Sequence, residues 1–207
     1  RHNYAAYADF EGNPIAALTL GAALRFEDYS DFGNTTSGKL SARFEVNELL
    51  ALRGTAGTGF RAPNLQQQFY STTSTNFING QPFDIRTFPV SSPVAVALGA
   101  EQLKAEESKN LSLGLVLQPI ENLYVAIDAY RIDIDDRIML SENLTSPAVR
   151  AYLNANVDPA LGGGRYFTNA IDTSTKGVDI TGTYRWEIGE ANLDLTAGYN
   201  YNKTTVE

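Results

Sequence analysis

The sequence predicts an all-β fold, a run of about eight antiparallel strands belonging to a transmembrane β-barrel. Three features carry this expectation. Apolar and polar residues alternate with period two, the alternating segments reach the roughly nine to eleven residues that a tilted strand needs to cross a bilayer, and the connections sort into short and long.

Asn3 to Phe10 and Ile15 to Tyr29 form the first two strands, and the first clean alternation begins at Lys39. From Lys39 to Asn47, Leu40, Ala42, Phe44 and Val46 share one face, while Lys39, Ser41, Arg43, Glu45 and Asn47 share the other. Leu50 to Phe60 follows. Next, Leu111, Leu113, Leu115 and Leu117 oppose Asn110, Ser112, Gly114 and Gln118, with Val116 the one apolar residue on the second face. Between Asn122 and Leu140 the apolar set is Leu123, Val125, Ile127 and Ala129, after which the parity moves to Ile132 and Ile134. A bulge near Arg131 would explain the switch. Val178, Ile180, Tyr184 and Trp186 then oppose Asp179, Thr181, Thr183 and Arg185, and Leu193, Leu195, Ala197, Tyr199 and Tyr201 oppose Asn192, Asp194, Thr196 and Asn200.

Glu11 to Pro14, Asn47 to Glu48, Pro119 to Glu121 and Gly189 to Glu190 read as short turns. Asp28 to Gly38, Arg61 to Glu106 and Ser141 to Gly164 read as long loops at the opposite strand ends. Outer-membrane barrels have short periplasmic turns and longer outside loops, whereas a soluble sandwich has no reason to sort its connections. Phe10, Phe44, Tyr184 and Trp186 near the short turns, and Phe26, Tyr29, Phe60 and Tyr201 near the long loops, fit two interfacial girdles. The polar face, with Lys39, Arg43, Glu45, Arg53, Asp128, Asp179 and Arg185, would line a lumen, and a wide barrel would keep those charges hydrated.

Composition narrows the function classes. No run of about 18 apolar residues occurs, so a membrane crossing must use strands. The net charge of −8 and the scattering of 16 basic residues argue against nucleic acid. With no cysteine and a single histidine, His2, the chain has no disulfide framework, no thiolate metal site and no Ser-His-Asp set away from His2. Neither catalytic residues nor a cofactor are expected. Arg1 to Phe10 lacks a signal-peptide core and reads as the middle of a strand, and the last residues stop inside a strand pattern, so a longer parent chain is expected.

Gly54 to Pro63 reads GTAGTGFRAP, a strand that ends at Phe60 and passes through Arg61, Ala62 and Pro63 into a long loop. It resembles the T-G-F-R-A-P segment of TonB-dependent receptor barrels. LKAEESKNLSLGL, Leu103 to Leu115, is similar to the L-x-x-E-x-S-x-N-x-x-x-G-x entry into the next strand of that family, with Ala105 where members often carry Pro. AYRIDIDDRI, Ala129 to Ile138, and YFTNAIDTSTKGVDI, Tyr166 to Ile180, resemble the strands flanking a further outer loop, and the four segments follow in family order. The resemblance implies that residues 1–207 belong to a barrel of about 22 strands, plugged by a separate N-terminal domain that lies outside this chain. It further implies a bacterial outer-membrane location, outer-membrane lipid around the strands, and TonB acting through a TonB box in that N-terminal region. A small-molecule or metal-chelate ligand is implied too: a ferric siderophore, cobalamin or a carbohydrate.

Within Arg61 to Glu106, Phe69, Tyr70, Phe77, Phe83 and Phe88 stand amid Gln, Ser, Thr and Asn, a mixture suited to stacking on and hydrogen-bonding a ligand. Loop-on-loop packing is the competing use for any one of them. Asp133, Asp135 and Asp136 could suggest calcium, but the EF-hand pattern is absent and a solvated outer collar is the expected role, so no metal ligand is assigned. The glycines of GTAGTGF are not followed by Lys-Ser/Thr, which favours strand packing over phosphate binding, and Gly162, Gly163 and Gly164 read as a flexible loop end. Ser146 and Pro147 predict a short helix from Pro147 to Asn154. Two other readings remain: a small barrel or porin with a structural or passive-diffusion role, and a soluble β-sandwich binding module.

Overall fold

The computed structural model describes residues 2–207; Arg1, at the head of the segment read as strand, lies outside them. The chain forms two compact units. The first holds the residues up to Phe60 together with Glu107–Asp135 and Asp172–Glu207, and the second holds Arg61–Glu106 and Asp136–Ile171.

Unit one is built on β1 (Asn3–Ile15), β2 (Leu18–Tyr29), β3 (Gly33–Asn47), β4 (Leu50–Arg61), β7 (Glu106–Ile120), β8 (Leu123–Leu140), β10 (Phe167–Ile188) and β11 (Ala191–Val206). These lie side by side in that order as one eight-stranded sheet, with β1 and β11 at its edges. The eight predicted strands are all present. Each alternates as the sequence requires, and the register carries one apolar face across the sheet: Phe10 opposite Ala22, Ala22 opposite Leu40, Leu40 opposite Ala56. Leu113 continues it opposite Ala129, as do Ile180 opposite Tyr199 and Trp186 opposite Leu193. The apolar residues of this face are exposed, Leu113 at 65% and Leu40 at 64%, so the face has no protein core behind it.

Several local expectations change. The first hairpin turns at residues 16–17, between Ile15 and Leu18, while Glu11 to Pro14 lie within β1 where the register shifts after Gly12. Pro14 lacks an N–H to donate and so falls at this irregularity of the ladder. Asp28 to Gly38 is no long loop: β2 and β3 pair up to Tyr29 and Gly33, leaving residues 30–32 as the connection. Gly33, at φ +97°, turns the chain where a side chain would be strained.

The bulge expected near Arg131 is absent, because β7 and β8 keep continuous register from Glu107 opposite Asp135 to Leu117 opposite Val125. Arg131 and Asp133 stay on the face of Ile127 and Ala129. The strand therefore carries an apolar stretch and then a charged one on the same face, and the apparent switch of parity marks a change of surroundings along it. Tyr29 and Phe60 also depart from the girdle: Tyr29 packs on Phe32 at 4.5 Å and on Phe60 at 6.0 Å between ring centroids, and its hydroxyl donates to Glu27 Oε2 at 2.5 Å.

On the polar face, Gly177 lies under the ring of Tyr130. A Cβ at Gly177 would meet Tyr130 Cζ at 2.5 Å and the carbonyl oxygen of Tyr201 at 2.8 Å, the second being backbone that cannot swing away. Gly177→Ala is expected to lower stability by about 1–3 kcal/mol through overpacking. Unfolding of the parent barrel in urea checks it; an unchanged midpoint would count against this packing.

Unit two has a core of its own. It contains α1 (Leu65–Phe69), β5 (Thr72–Ile78), β6 (Gln81–Thr87), α2 (Pro93–Ala97), α3 (Pro147–Asn156) and β9 (Gly163–Arg165). β5 and β6 form a hairpin turned by Asn79 and Gly80 at φ 51° and 77°, and β9 runs parallel to β6. Positive φ at both turn residues is what a two-residue type I′ hairpin requires. Phe88, Val90, Ala95, Ala100, Leu103, Ile138, Leu153, Leu161 and Tyr166 make up the buried cluster. α3 forms as predicted, with the Ser146 hydroxyl accepting from Val149 N at 3.3 Å. Gly162 to Gly164, expected to be a flexible loop end, instead pack tightly: a Cβ would come within 2.6 Å of Phe83 at Gly162, 2.7 Å of the Leu144 carbonyl at Gly163, and 2.9 Å of Phe88 at Gly164.

Candidate functional site

The two halves of unit two are joined by polar clamps. Arg61, closing β4, forks onto Glu106, opening β7, with Nε donating to Oε2 at 2.8 Å and Nη2 to Oε1. The Ile138 amide also donates to Glu106 Oε1, at 2.8 Å. The Glu106 carboxylate is nearly buried, whereas the Arg61 side chain is more than half exposed. Burial pushes the Glu106 carboxyl upward, but the Arg61 hydrogen bond, the Ile138 amide and the charges of Arg61 and Arg137 outweigh it and hold the pKa below the usual carboxylate value. Asn169 forms a second clamp: its amide donates to the carbonyls of Lys104 at 3.2 Å and Asp136 at 2.6 Å, and accepts from Lys104 N at 3.0 Å. Arg61, Lys104, Glu106 and Asn169 all come from the sequence segments quoted above. Their hydrogen-bond roles emerge only here.

The five candidate aromatics divide. Phe77 is 76% exposed, and Phe69 and Tyr70 are exposed too, so these three are available to a ligand. Phe83 is half-buried, with the Arg150 guanidinium 5.8 Å from its ring centroid. Phe88 is 4% exposed and belongs to the core, its ring 5.5 Å from the Arg86 guanidinium. It anchors the excursion and presents no free face. α1, which sets Phe69 and Tyr70, is held by a capping box in which Asn64 Oδ1 accepts from Gln67 N at 2.7 Å and Gln67 Oε1 from Asn64 N at 3.1 Å.

Along β5 the alternation turns Thr73, Thr75 and Phe77 outward. Thr75 donates to Asp84 at 2.6 Å on that side. On the other side Arg165 ties the small sheet together through Thr87 at 3.0 Å, Ser74 at 3.3 Å and Asn143 at 3.5 Å. The result is a rigid hairpin bearing an exposed ring and hydroxyls. Of the arginines that make these contacts, Arg86 is marked in the sequence only by its place between Phe83 and Phe88, and no local pattern marks Arg150 or Arg165.

Unit one contributes a polar face of paired charges. Arg53 donates to Asp128 at 2.8 and 2.5 Å, Arg185 to Asp194 at 2.8 and 3.2 Å, and Thr55 and Ser112 share a hydrogen bond of 2.7 Å. Asp133 and Asp135, considered as cation ligands, are taken by Arg131 and Lys109, at 2.8 and 3.0 Å. Among the described residues no cluster of three acidic or histidine side chains could hold a metal.

An antiparallel sheet with one exposed apolar face, one polar face of paired charges and two-residue turns along one rim is the wall of an outer-membrane β-barrel. The chain belongs to the TonB-dependent receptor family: the family model for the TonB dependent receptor-like beta-barrel matches residues 1–207. It is therefore a barrel region located in the bacterial outer membrane. A probable TonB-dependent siderophore receptor, PirA of Acinetobacter baumannii, is 26% identical over 133 residues, which are 64% of this chain and 17% of that protein. The ferric enterobactin receptor PirA of Pseudomonas aeruginosa is 34% identical over 107 residues, 52% of this chain and 14% of that protein. This chain thus spans less than a fifth of the length of these curated relatives. Among solved structures, a ferric enterobactin receptor variant (PfeA) from Pseudomonas aeruginosa in complex with enterobactin superposes with a TM-score of 0.70 at 18% identity, over 96% of this chain and 27% of that one, which supports the fold.

Proposed function

We propose that this chain is a wall segment, with its outer loops, of a TonB-dependent transporter that takes up a ferric siderophore, and that it is not an enzyme. The observation that carries the reading is the likeness to the ferric enterobactin receptor of Pseudomonas aeruginosa, 34% identical over 107 residues. The exposed rings of Phe69, Tyr70 and Phe77 add to it, because a planar catecholate can stack on such rings while the neighbouring hydroxyls hydrogen-bond its oxygens. In this reading the lipid of the outer membrane covers the apolar face, a plug domain carried elsewhere in the parent chain fills the lumen, and TonB acts on that plug. Cobalamin and carbohydrates drop behind the siderophore as ligands, since the curated relatives are siderophore receptors.

Uptake of radiolabelled iron tests this. Cells lacking other siderophore receptors but carrying the parent protein are expected to accumulate iron from ferric enterobactin only when TonB is present. Phe77→Ala should weaken uptake about tenfold or less, as expected for one exposed aromatic anchor worth about 1 kcal/mol. Uptake independent of TonB, or uptake of cobalamin in place of ferric enterobactin, would overturn the proposal.

A further inference from the structure

The β5–β6 hairpin carries a second kind of chemistry at its turn. Asn79 and Gly80 are the one Asn-Gly step in the 207 residues. Asn79 supplies an electrophile, its carboxamide carbon, and the next backbone nitrogen belongs to a residue with no side chain to hinder the approach. These are the two groups that intramolecular imide formation requires. Because both belong to one stretch of chain, their proximity supplies what a catalyst would otherwise contribute.

The place of this pair in the fold leaves it open to reaction. β6 meets β9 only from Ile85 onward, where Ile85 lies opposite Gly163. Between that point and the turn the hairpin is a two-stranded ribbon, and such a ribbon is marginally stable by itself. Its last anchors are Phe83, which lies against Gly162, and the Asp84 carbonyl, which accepts from Gly162 N at 2.9 Å. From Asn79 to Pro82 every residue is exposed, and a Cβ at Gly80 would touch nothing. In the closed turn Asn79 and Gly80 sit at φ 51° and 77°. The imide forms when the tip opens and the Gly80 nitrogen swings onto the Asn79 carboxamide. Opening a tip so lightly anchored costs far less than unfolding the barrel.

We propose that Asn79 is a site of spontaneous modification, at which deamidation and isomerisation unseat Phe77. The Gly80 nitrogen, its proton taken by solvent hydroxide, attacks Asn79 Cγ; a Cγ–N bond forms as the Cγ–Nδ2 bond breaks. Nδ2 leaves as ammonia after taking a proton from water, which restores the hydroxide. Water then opens the cyclic imide. Opening at Cγ gives aspartate in the ordinary backbone, whereas opening at the main-chain carbonyl gives isoaspartate, in which the chain runs through Cβ. In sum one water enters and one ammonia leaves, with no oxidant and no cofactor. Isoaspartate lengthens the backbone of a turn whose two residues fix the register. Ile78 opposite Gln81 and Phe77 opposite Pro82 are the pairs nearest the turn, so they lose alignment first. The proposal concerns the hairpin itself and is independent of which nutrient is transported.

The test is ageing of the purified parent receptor in detergent at mildly alkaline pH, followed by peptide mapping with electron-transfer fragmentation. Asn79 is expected to gain about 1 Da, with isoaspartate as the major product. Asn64 and Asn192, also exposed but followed by leucine, should stay unmodified. In the aged protein, hydrogen exchange over residues 77–82 should quicken about tenfold, while exchange at Ile138 stays as it was. Asn79→Gly keeps a sequence suited to the same turn and removes the carboxamide, so it should age with neither the mass gain nor the faster exchange. Conversion at Asn79 no faster than at Asn64 and Asn192, aspartate as the only product, an aged hairpin that exchanges at its original rate, or an equal loss of protection in Asn79→Gly would overturn the proposal.

Discussion

Leu113→Arg should destabilise the parent barrel by about 2–4 kcal/mol, and Ser112→Arg, its immediate neighbour, should cost little. The two side chains sit on opposite faces. Leu113 is 65% exposed on the apolar face, opposite Ala129 and beside Gly54, and in the membrane a guanidinium there must enter hydrocarbon or drag water after it. Ser112 faces the polar side, where it shares a hydrogen bond with Thr55, and an arginine there joins a surface that already holds Arg53 and Asp128. Denaturant unfolding of the two variants in lipid vesicles measures the difference. Equal losses would show that the faces are assigned wrongly, and a larger loss for Ser112→Arg would place the lumen on the other side.

Arg61→Ala should loosen the base of unit two. It strands the Glu106 carboxylate, nearly buried and left with the Ile138 amide, at a cost of roughly 1–3 kcal/mol for the lost charge-assisted bonds. Because Arg61 itself is more than half exposed, water can take over part of its role, and the lower half of that range is expected. The Ile138 amide is a built-in reporter, since its hydrogen exchange reads the opening of the same bond. Exchange at Ile138 should accelerate about tenfold or more in Arg61→Ala, and an unchanged rate would remove the clamp from the stability of this unit.

Acid should act on the unaltered protein in the same direction. The Glu106 carboxyl is held below its ordinary value, so its folded form binds protons less readily than its unfolded form. Its contribution is therefore complete above the ordinary carboxylate value and is lost as the pH falls through the depressed folded value. Glu106→Gln, which keeps the shape without the charge, should show no such step. A step of the same size in Glu106→Gln would assign it to another carboxylate.

Much of unit one was legible because a membrane strand faces two solvents at once. Lipid on one side and polar surroundings on the other impose period two on β3, β7, β10 and β11 with little help from distant residues, and each register then follows from its turn. The same logic failed where the surroundings change along a strand. Ile132 and Ile134 looked like a phase shift beyond a bulge, whereas β8 keeps its register and presents charge on the outward face past Ala129. A periodicity can reveal faces, but not where the hydrocarbon stops.

Unit two was legible only in fragments. Ser146 and Pro147 announce α3 through local capping chemistry, and Asn79-Gly80 sets the β5–β6 hairpin through an equally local turn signal. The family-like segments identified the barrel without disclosing that Arg61 and Glu106, far apart in sequence, share one ion pair, or that Asn169 binds both Lys104 and Asp136. Nor could composition sort Phe77 from Phe88, because an aromatic among polar residues serves a ligand or a core equally well until its neighbours are known. Local chemistry and the two-sided solvent therefore wrote the strands, turns and faces into the sequence. The clamps, the core of the excursion and the exposure of each ring arose from contacts between distant segments, whose partners no local pattern names.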